Sequence, residues 1–325
     1  MSIKVTVRSL WTTIACVLLA LAAAFVVLWS IVGRNDDRPI RLAYQNHIGS
    51  AVCIVAVEER FFEREGIAVE GFPFSSGPAC AEAIYSGSAD IGTMGDATAV
   101  ITASRGGPYR ILASHGQGEH RHRLVAGENA PIHSTSDLVG KALAVKKGTS
   151  AYGGLLVWLA ANNVEPASIR ILDMGPSEMP DALAAGSIDA FVASEPTPSF
   201  SEARGARQVA TLGGLGNQYP ILIMANTRLL QDRPDDVRAA MRAFQKAAEF
   251  IEENPDAAAQ IVARATGLPE HLAQRVMARH VYRISLDDDI VRSLHATARF
   301  LEDEGILQAV PDLRKVCDAT YLPTP

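Results

Sequence analysis

Five short polar stretches carry residue types that could hold a small ligand: residues 45–50, 75–77, 95–98, 148–152 and 194–197. They supply amides, hydroxyls and an imidazole, and each runs into or lies beside a predicted helix. The candidate contacts in them are Gln45, Asn46, His47, Ser50, Ser75, Ser76, Gly77, Asp96, Ala97, Thr98, Thr149, Ser150, Tyr152, Ser194, Glu195 and Thr197. His115 joins them, because it ends a predicted strand on the same side. Unpaired backbone N–H groups at helix starts suit a carboxylate, sulfonate or phosphate. Thr149 or Ser150 can cap the helix that follows and also donate a hydroxyl to an anion. Asp96 and Glu195 pull the other way. Unless they act as helix caps, two acids in one cleft favour an amine or a protonated ring, and a zwitterion would use both kinds of group.

Other chemistry finds less support. The stretch HGQGEHRHR (115–123) gathers His115, His120 and His122, but no cysteine or second spaced pair completes a metal set. It reads as a surface or hinge segment. No G-x-S-x-G, H-E-x-x-H or G-x-G-x-x-G pattern is present, and no Walker spacing. We therefore expect binding rather than turnover, with no metal and no cofactor.

The elements that position these loops come as a repeat. Residues 83–98, AIYSGSADIGTMGDAT, match residues 182–197, ALAAGSIDAFVASEPT, at an offset of 99. Ala83/Ala182, Gly87/Gly186, Ser88/Ser187, Asp90/Asp189 and Thr98/Thr197 are identical, and Asp96/Glu195 are chemically matched. Each copy reads as a helix end, a stopping glycine, a short buried strand and a polar loop. Two copies predict two α/β lobes with a cleft between them. Strand–helix alternation around the repeats predicts a parallel sheet covered on both faces in each lobe. Residues 51–66 predict one amphipathic helix closed by Gly66. From Pro234 onward the pattern is mainly helical.

The chain has 325 residues, 48% of them hydrophobic, and a formal net charge of −6. That charge and the lack of a basic tract exclude a nucleic-acid footprint. Residues 10–33 carry no charge and as a helix would reach about 36 Å, enough to span a bilayer. Lys4 and Arg8 precede them, so residues 1–9 stay cytoplasmic and the rest is exported. The expected form is a protein on the extracytoplasmic face, tethered to the inner membrane; a cleaved signal peptide is the alternative. Cys53 and Cys80 could form a disulfide in that compartment or remain small buried thiols.

Together, EERFFEREGIAVE (58–70), the two repeat segments and DLVGKALAVKKGTSAYGGLLVWLAANNV (137–164) carry a family resemblance. The chain resembles the periplasmic solute-binding proteins of ABC importers for nitrate, sulfonates, taurine and thiamine-pyrimidine precursors, over residues 39 to about 310. The resemblance implies a two-lobed, type II periplasmic-binding-protein fold with the ligand held between lobes. It places one lobe at 39–126 plus 221–325 and the other at 127–220. It also implies closure on a small anion or zwitterion and delivery to a permease with an ATPase. Ser194 stands where family members commonly have an aromatic residue. The cysteine cluster of the pyrimidine-synthesising relatives is absent. Other readings stay open: an aminopyrimidine-binding protein, a ligand sensor for a membrane partner, or an enzyme on this fold such as a menaquinone-pathway dehydratase.

Overall fold

The computed structural model describes residues 38–323. The expected membrane span at 10–33 lies outside them; among the described residues no helix is long and apolar enough to cross a membrane.

Two five-stranded sheets organise the chain. The first has the order β2-β1-β3-β10-β4, from β1 (Ile40–Gln45), β2 (Val69–Phe74), β3 (Ile91–Gly95), β4 (Tyr109–Gly116) and β10 (Ile221–Asn226). The second has the order β7-β6-β8-β5-β9, from β5 (His122–Ala126), β6 (Ala142–Val145), β7 (Arg170–Asp173), β8 (Ala190–Ser194) and β9 (Arg207–Thr211). The two orders are equivalent. Both sheets are mixed rather than parallel. β10 runs antiparallel between β3 and β4, and β5 runs antiparallel between β8 and β9. Each antiparallel strand enters directly from the other sheet without a crossover helix, so it arrives pointing backwards. The links 117–121 and 212–220 are therefore the two crossings.

The repeat has a structural reason. Asp90 Oδ2 accepts the Arg41 N–H at 3.0 Å, while the Asp90 N–H donates to the Arg41 carbonyl at 2.9 Å. Asp189 does the same to Ala142, at 2.8 Å in both directions. The carbonyls of Asp90 and Asp189 then accept from Asn226, the last residue of β10, and from Gly127, just past β5. One aspartate thus sets the start of a central strand against both neighbours. Gly87 and Gly186 precede them at φ of 74° and 69°, a left-handed turn that a side chain would strain.

Side chains alternate across each sheet. In the first, Leu42, Ile223 and Ala225 face a core closed by helices Pro234–Glu253, Pro255–Thr266 and Glu270–Met277. Ala43, Leu222 and Met224 face a second core under helix Asp288–Asp303. The predicted helix over 51–66 is broken into Ala51–Glu58 and Phe61–Arg64 at Arg60, whose φ is 54°. The break turns both Phe61 and Phe62 inward, against Phe250 and Phe244 at 6.0 and 5.2 Å between ring centroids. Cys53 and Cys80 are free thiols, one in each core of the first sheet. Burial pushes the Cys53 thiol up to about 12 and the Cys80 thiol higher still, so neither supplies thiolate.

Asp90 also holds the Arg41 side chain, through Nε at 3.0 Å and Nη2 at 2.9 Å. Asp90→Ala leaves the strand start and the guanidinium without an acceptor and should cost about 3 kcal/mol in urea denaturation. Asp189→Ala, which loses the backbone bond alone, should cost about half of that. Equal and negligible losses would show that the repeat is not held this way.

Candidate functional site

A cavity of about 600 Å³ opens between the carboxyl ends of the two sheets. Ligands of α/β sheets lie at that end because the helices that follow the strands point their N-termini there. The structure brings Gln45, Asn46, His47, Ser75, Ser76, Gly77, Thr98, Thr149, Ser150, Ser194, Glu195 and Thr197 to its wall. It does not bring Ser50, Asp96, Ala97, His115 or Tyr152 there. Ser50 and His115 are fully buried behind the wall, His115 with Nε2 4.0 Å from Cys53 Sγ. Tyr152 lies in the first turn of helix Ser150–Ala161 and packs against the second lobe's core. Asp96 and Ala97 face the other way, into a separate cleft of about 900 Å³ beside helix Asp288–Asp303. There Asp96 Oδ2 accepts the Thr297 hydroxyl at 2.9 Å.

Several hydroxyls at the wall already have partners. Thr149 accepts the Tyr152 N–H and donates to the Lys146 carbonyl at 2.6 Å. Thr98 donates to the Gly148 carbonyl at 2.7 Å, a bond from the first lobe to the second. Ser150 differs: its Oγ is buried without a partner, and so are Gln45 Oε1, His47 Nδ1 and His122 Nε2. Ser76 caps helix Gly77–Tyr85 with backbone geometry alone, with no bond from its side chain. The absence of a side chain at Gly95 is required. A Cβ there would sit 1.9 Å from Ser150 Oγ and 3.3 Å from Arg121 Nη2.

Arg121 is the residue that pattern reading missed. It lies on the first crossing, is 4% exposed, and donates through Nε to the Tyr219 carbonyl of the second crossing at 2.8 Å. Among the described residues no carboxylate lies within 4.0 Å of its guanidinium. Burial lowers its pKa to about 10, partly offset by the more distant Asp96, so it stays a cation at neutral pH.

Every other charge on the wall is matched. Lys146 pairs with Asp173 at 3.2 Å and Arg204 with Asp181 at 2.5 Å. Glu195 lines the cavity, but its Oε1 is bound to Arg123 and its Oε2 accepts the Ser199 N–H at 3.1 Å. Arg123 in turn holds Glu202 and, at 2.6 Å, Gln208. The expectation of two acids attracting an amine is thus corrected: one acid faces elsewhere and the other is neutralised. The cavity presents one unpaired charge, and it is positive. The rest of the wall is largely apolar, with Phe74, Met179, Pro180 and Phe200.

Histidines surround the cation. Burial, and then Arg121, holds His47 and His115 down to about 3 and His122 well below the usual range. Burial above all, with Arg121 adding to it, brings His280 to about 4. All four are neutral at pH 7. Among the described residues no group of three or more His, Cys, Asp or Glu side chains is arranged to hold a metal.

The family model described as "NMT1/THI5 like" matches residues 46–258. The chain belongs to that family. It is 25% identical over 266 residues to a Bacillus subtilis (strain 168) protein named as an aliphatic sulfonates-binding protein, covering 81% of this chain and 80% of the relative. Its fold superposes with a TM-score of 0.80 on the alkanesulfonate-binding protein SsuA from Xanthomonas axonopodis pv. citri bound to MOPS. That match is 23% identical and covers 86% of this chain and 98% of the other. The desulfurization enzyme DSZB shares the fold at a TM-score of 0.67 and 18% identity, covering 87% and 97% of the two chains. The two-lobed periplasmic-binding-protein fold is therefore established.

Two outcomes test these assignments. Glu195→Gln should destabilise the fold by about 3 kcal/mol, because Arg123 stays buried with less compensation. It should change the affinity for an anionic ligand by less than about threefold, since the carboxylate is already engaged by Arg123 and the Ser199 N–H. The buried His115 and His122 gain a proton near pH 6.5 in the unfolded chain but not in the folded one. Their stabilising contribution is complete above that pH and is lost progressively as pH falls below it, for His115 down to about 3. Each should cost up to about 1.4 kcal/mol per pH unit below 6.5, read as a falling Tm between about pH 7 and pH 5.

Proposed function

We propose that this NMT1/THI5-like chain is the solute-binding component of an ABC importer and captures a small organic monoanion of the sulfonate class. The observation that carries the reading is Arg121, a desolvated cation with no carboxylate partner, at the base of a cavity whose other charges are paired. A bound anion removes the desolvation penalty of that cation, which supplies affinity as well as selectivity. The donors of Ser150, Gln45 and the start of helix Gly77–Tyr85 lie on the same wall. The apolar remainder fits an uncharged alkyl or aryl body. It offers no free carboxylate to an ammonium, so a simple alkanesulfonate fits better than zwitterionic taurine. Nitrate is small for about 600 Å³.

The named relatives support transport, and the partners are then a permease and its ATPase on the far side of the membrane. The uncharged segment 10–33 would tether the protein to the extracytoplasmic face of the inner membrane. Sharing a fold with a desulfurization enzyme transfers no chemistry, because function resides in the site.

Trp158 is buried in helix Ser150–Ala161, whose N-terminus meets the cavity, and reports its occupancy. Titration of the full-length protein with butanesulfonate, taurine, nitrate and an aminopyrimidine should change its fluorescence and raise Tm most for butanesulfonate. Arg121→Met should raise the butanesulfonate Kd by about a hundredfold or more. A protein stabilised by the aminopyrimidine, or by taurine in preference to butanesulfonate, would overturn the reading.

A further inference from the structure

His122 opens β5 and Ser194 closes β8, and the two are register partners where the crossing strand enters the second sheet. The Ser194 hydroxyl lies 2.8 Å from His122 Nδ1. The imidazole is 2% exposed and sits edge-on to the Tyr219 ring at 4.9 Å, which fixes its plane. Its other nitrogen, Nε2, is buried without a protein partner, on a residue that lines the cavity beside Arg121. The equivalent pair in the first sheet is Gly95 and Ile221, which has no polar side chain. The device belongs to the second lobe alone.

A neutral imidazole carries one hydrogen, on either nitrogen, and a serine hydroxyl can donate or accept. Arg121 and the neutral imidazoles of His47 and His280 face this ring; burial first, and then Arg121, disfavours its protonation. It therefore meets a ligand as a neutral group. Toward an anion, a lone pair on Nε2 repels and an N–H attracts. The attractive form requires Nδ1 to accept, and Ser194 to donate to it.

We infer that Ser194 is a positioning residue that holds neutral His122 in the Nε2–H tautomer, making His122 a donor to the bound anion next to Arg121. The inference rests on the anion-capture reading and deepens it. With Arg121 and an N–H side by side, and with the wall's carboxylates already paired, the site matches an oxyanion that only accepts hydrogen bonds. A sulfonate does so at neutral pH.

The test uses full-length protein carrying ¹⁵N-labelled histidine. With butanesulfonate bound at neutral pH, His122 should show the shifts of the Nε2–H tautomer. Ser194→Ala should mix the tautomers and weaken binding by about tenfold. Ser194→Thr, which keeps the hydroxyl, should restore both. An Nδ1–H tautomer in the wild-type complex overturns the inference and leaves anion capture standing. So does a Ser194→Ala Kd within twofold of wild type. The tautomer is read in the unsubstituted protein, so that result does not depend on how the variants fold. Wild-type protein that binds none of the anions overturns anion capture itself, and this inference with it.

Discussion

Two carboxylates, Asp90 and Asp189, set the register from which the rest of the molecule is counted. Each bonds reciprocally with the neighbouring parallel strand, β1 or β6, and offers its carbonyl to the far end of the crossing strand. A central strand of five residues then ends at Gly95 in one lobe and at Ser194 in the other. A slip of one residue would turn Gly95 away from Ser150 and Ser194 away from His122, because side chains alternate across a strand. The repeated aspartate is thus remote from the cavity and still decides what the cavity contains.

The fold holds a cation that it does not neutralise. Burial makes Arg121 expensive, and nearby charges decide whether that cost is met. The structure meets it in part with the Tyr219 carbonyl and the distant field of Asp96. The surrounding imidazoles stay uncharged, so they add dipoles without adding repulsion. By contrast Arg123, two residues further on, has each of its three side-chain nitrogens bound, by Gln208, Glu195 and Glu202. Neighbouring arginines on one chain segment therefore divide between structure and binding, according to whether a carboxylate is within reach.

That division explains what was legible in the sequence. Buried apolar runs ending in small polar loops showed where the strand ends lie, and most of those loops reach the wall. The repeat showed two lobes. The antiparallel strand in each sheet was hidden, because β10 pairs with β3 across more than a hundred residues and leaves no local period. Asp96 and Glu195 looked like cleft acids because they are matched in the repeat. Identical position in a repeat does not ensure identical facing, since helix Asp96–Ser104 starts directly at Asp96 while Glu195 precedes its helix by two residues. Arg121 and His122 were read as surface or hinge residues within HGQGEHRHR. One signal was available: the segment lies just ahead of the lobe boundary at 126/127 that the resemblance implies, and the structure moves that boundary back to 117–121 by placing β5 in the second sheet. A crossing must pass the cleft.

The position of Arg121 and His122 on that crossing has a mechanical consequence. A ligand shifts lobe geometry only by its differential affinity for the two arrangements. A cation on a lobe's outer loop would bind an anion equally well with the lobes apart. Here the guanidinium is tied to the second crossing through Tyr219, beside Gly95 of the first lobe and Ser150 of the second. Thr98 and Gly148 join the same two loops directly. Separating the lobes would draw Ser150 away from Arg121 and admit water to the guanidinium, weakening its hold on an anion. On the proposed reading, hydrating the cation and losing the anion would be one event, and a bound anion would favour the closed arrangement because that is where the cation is driest.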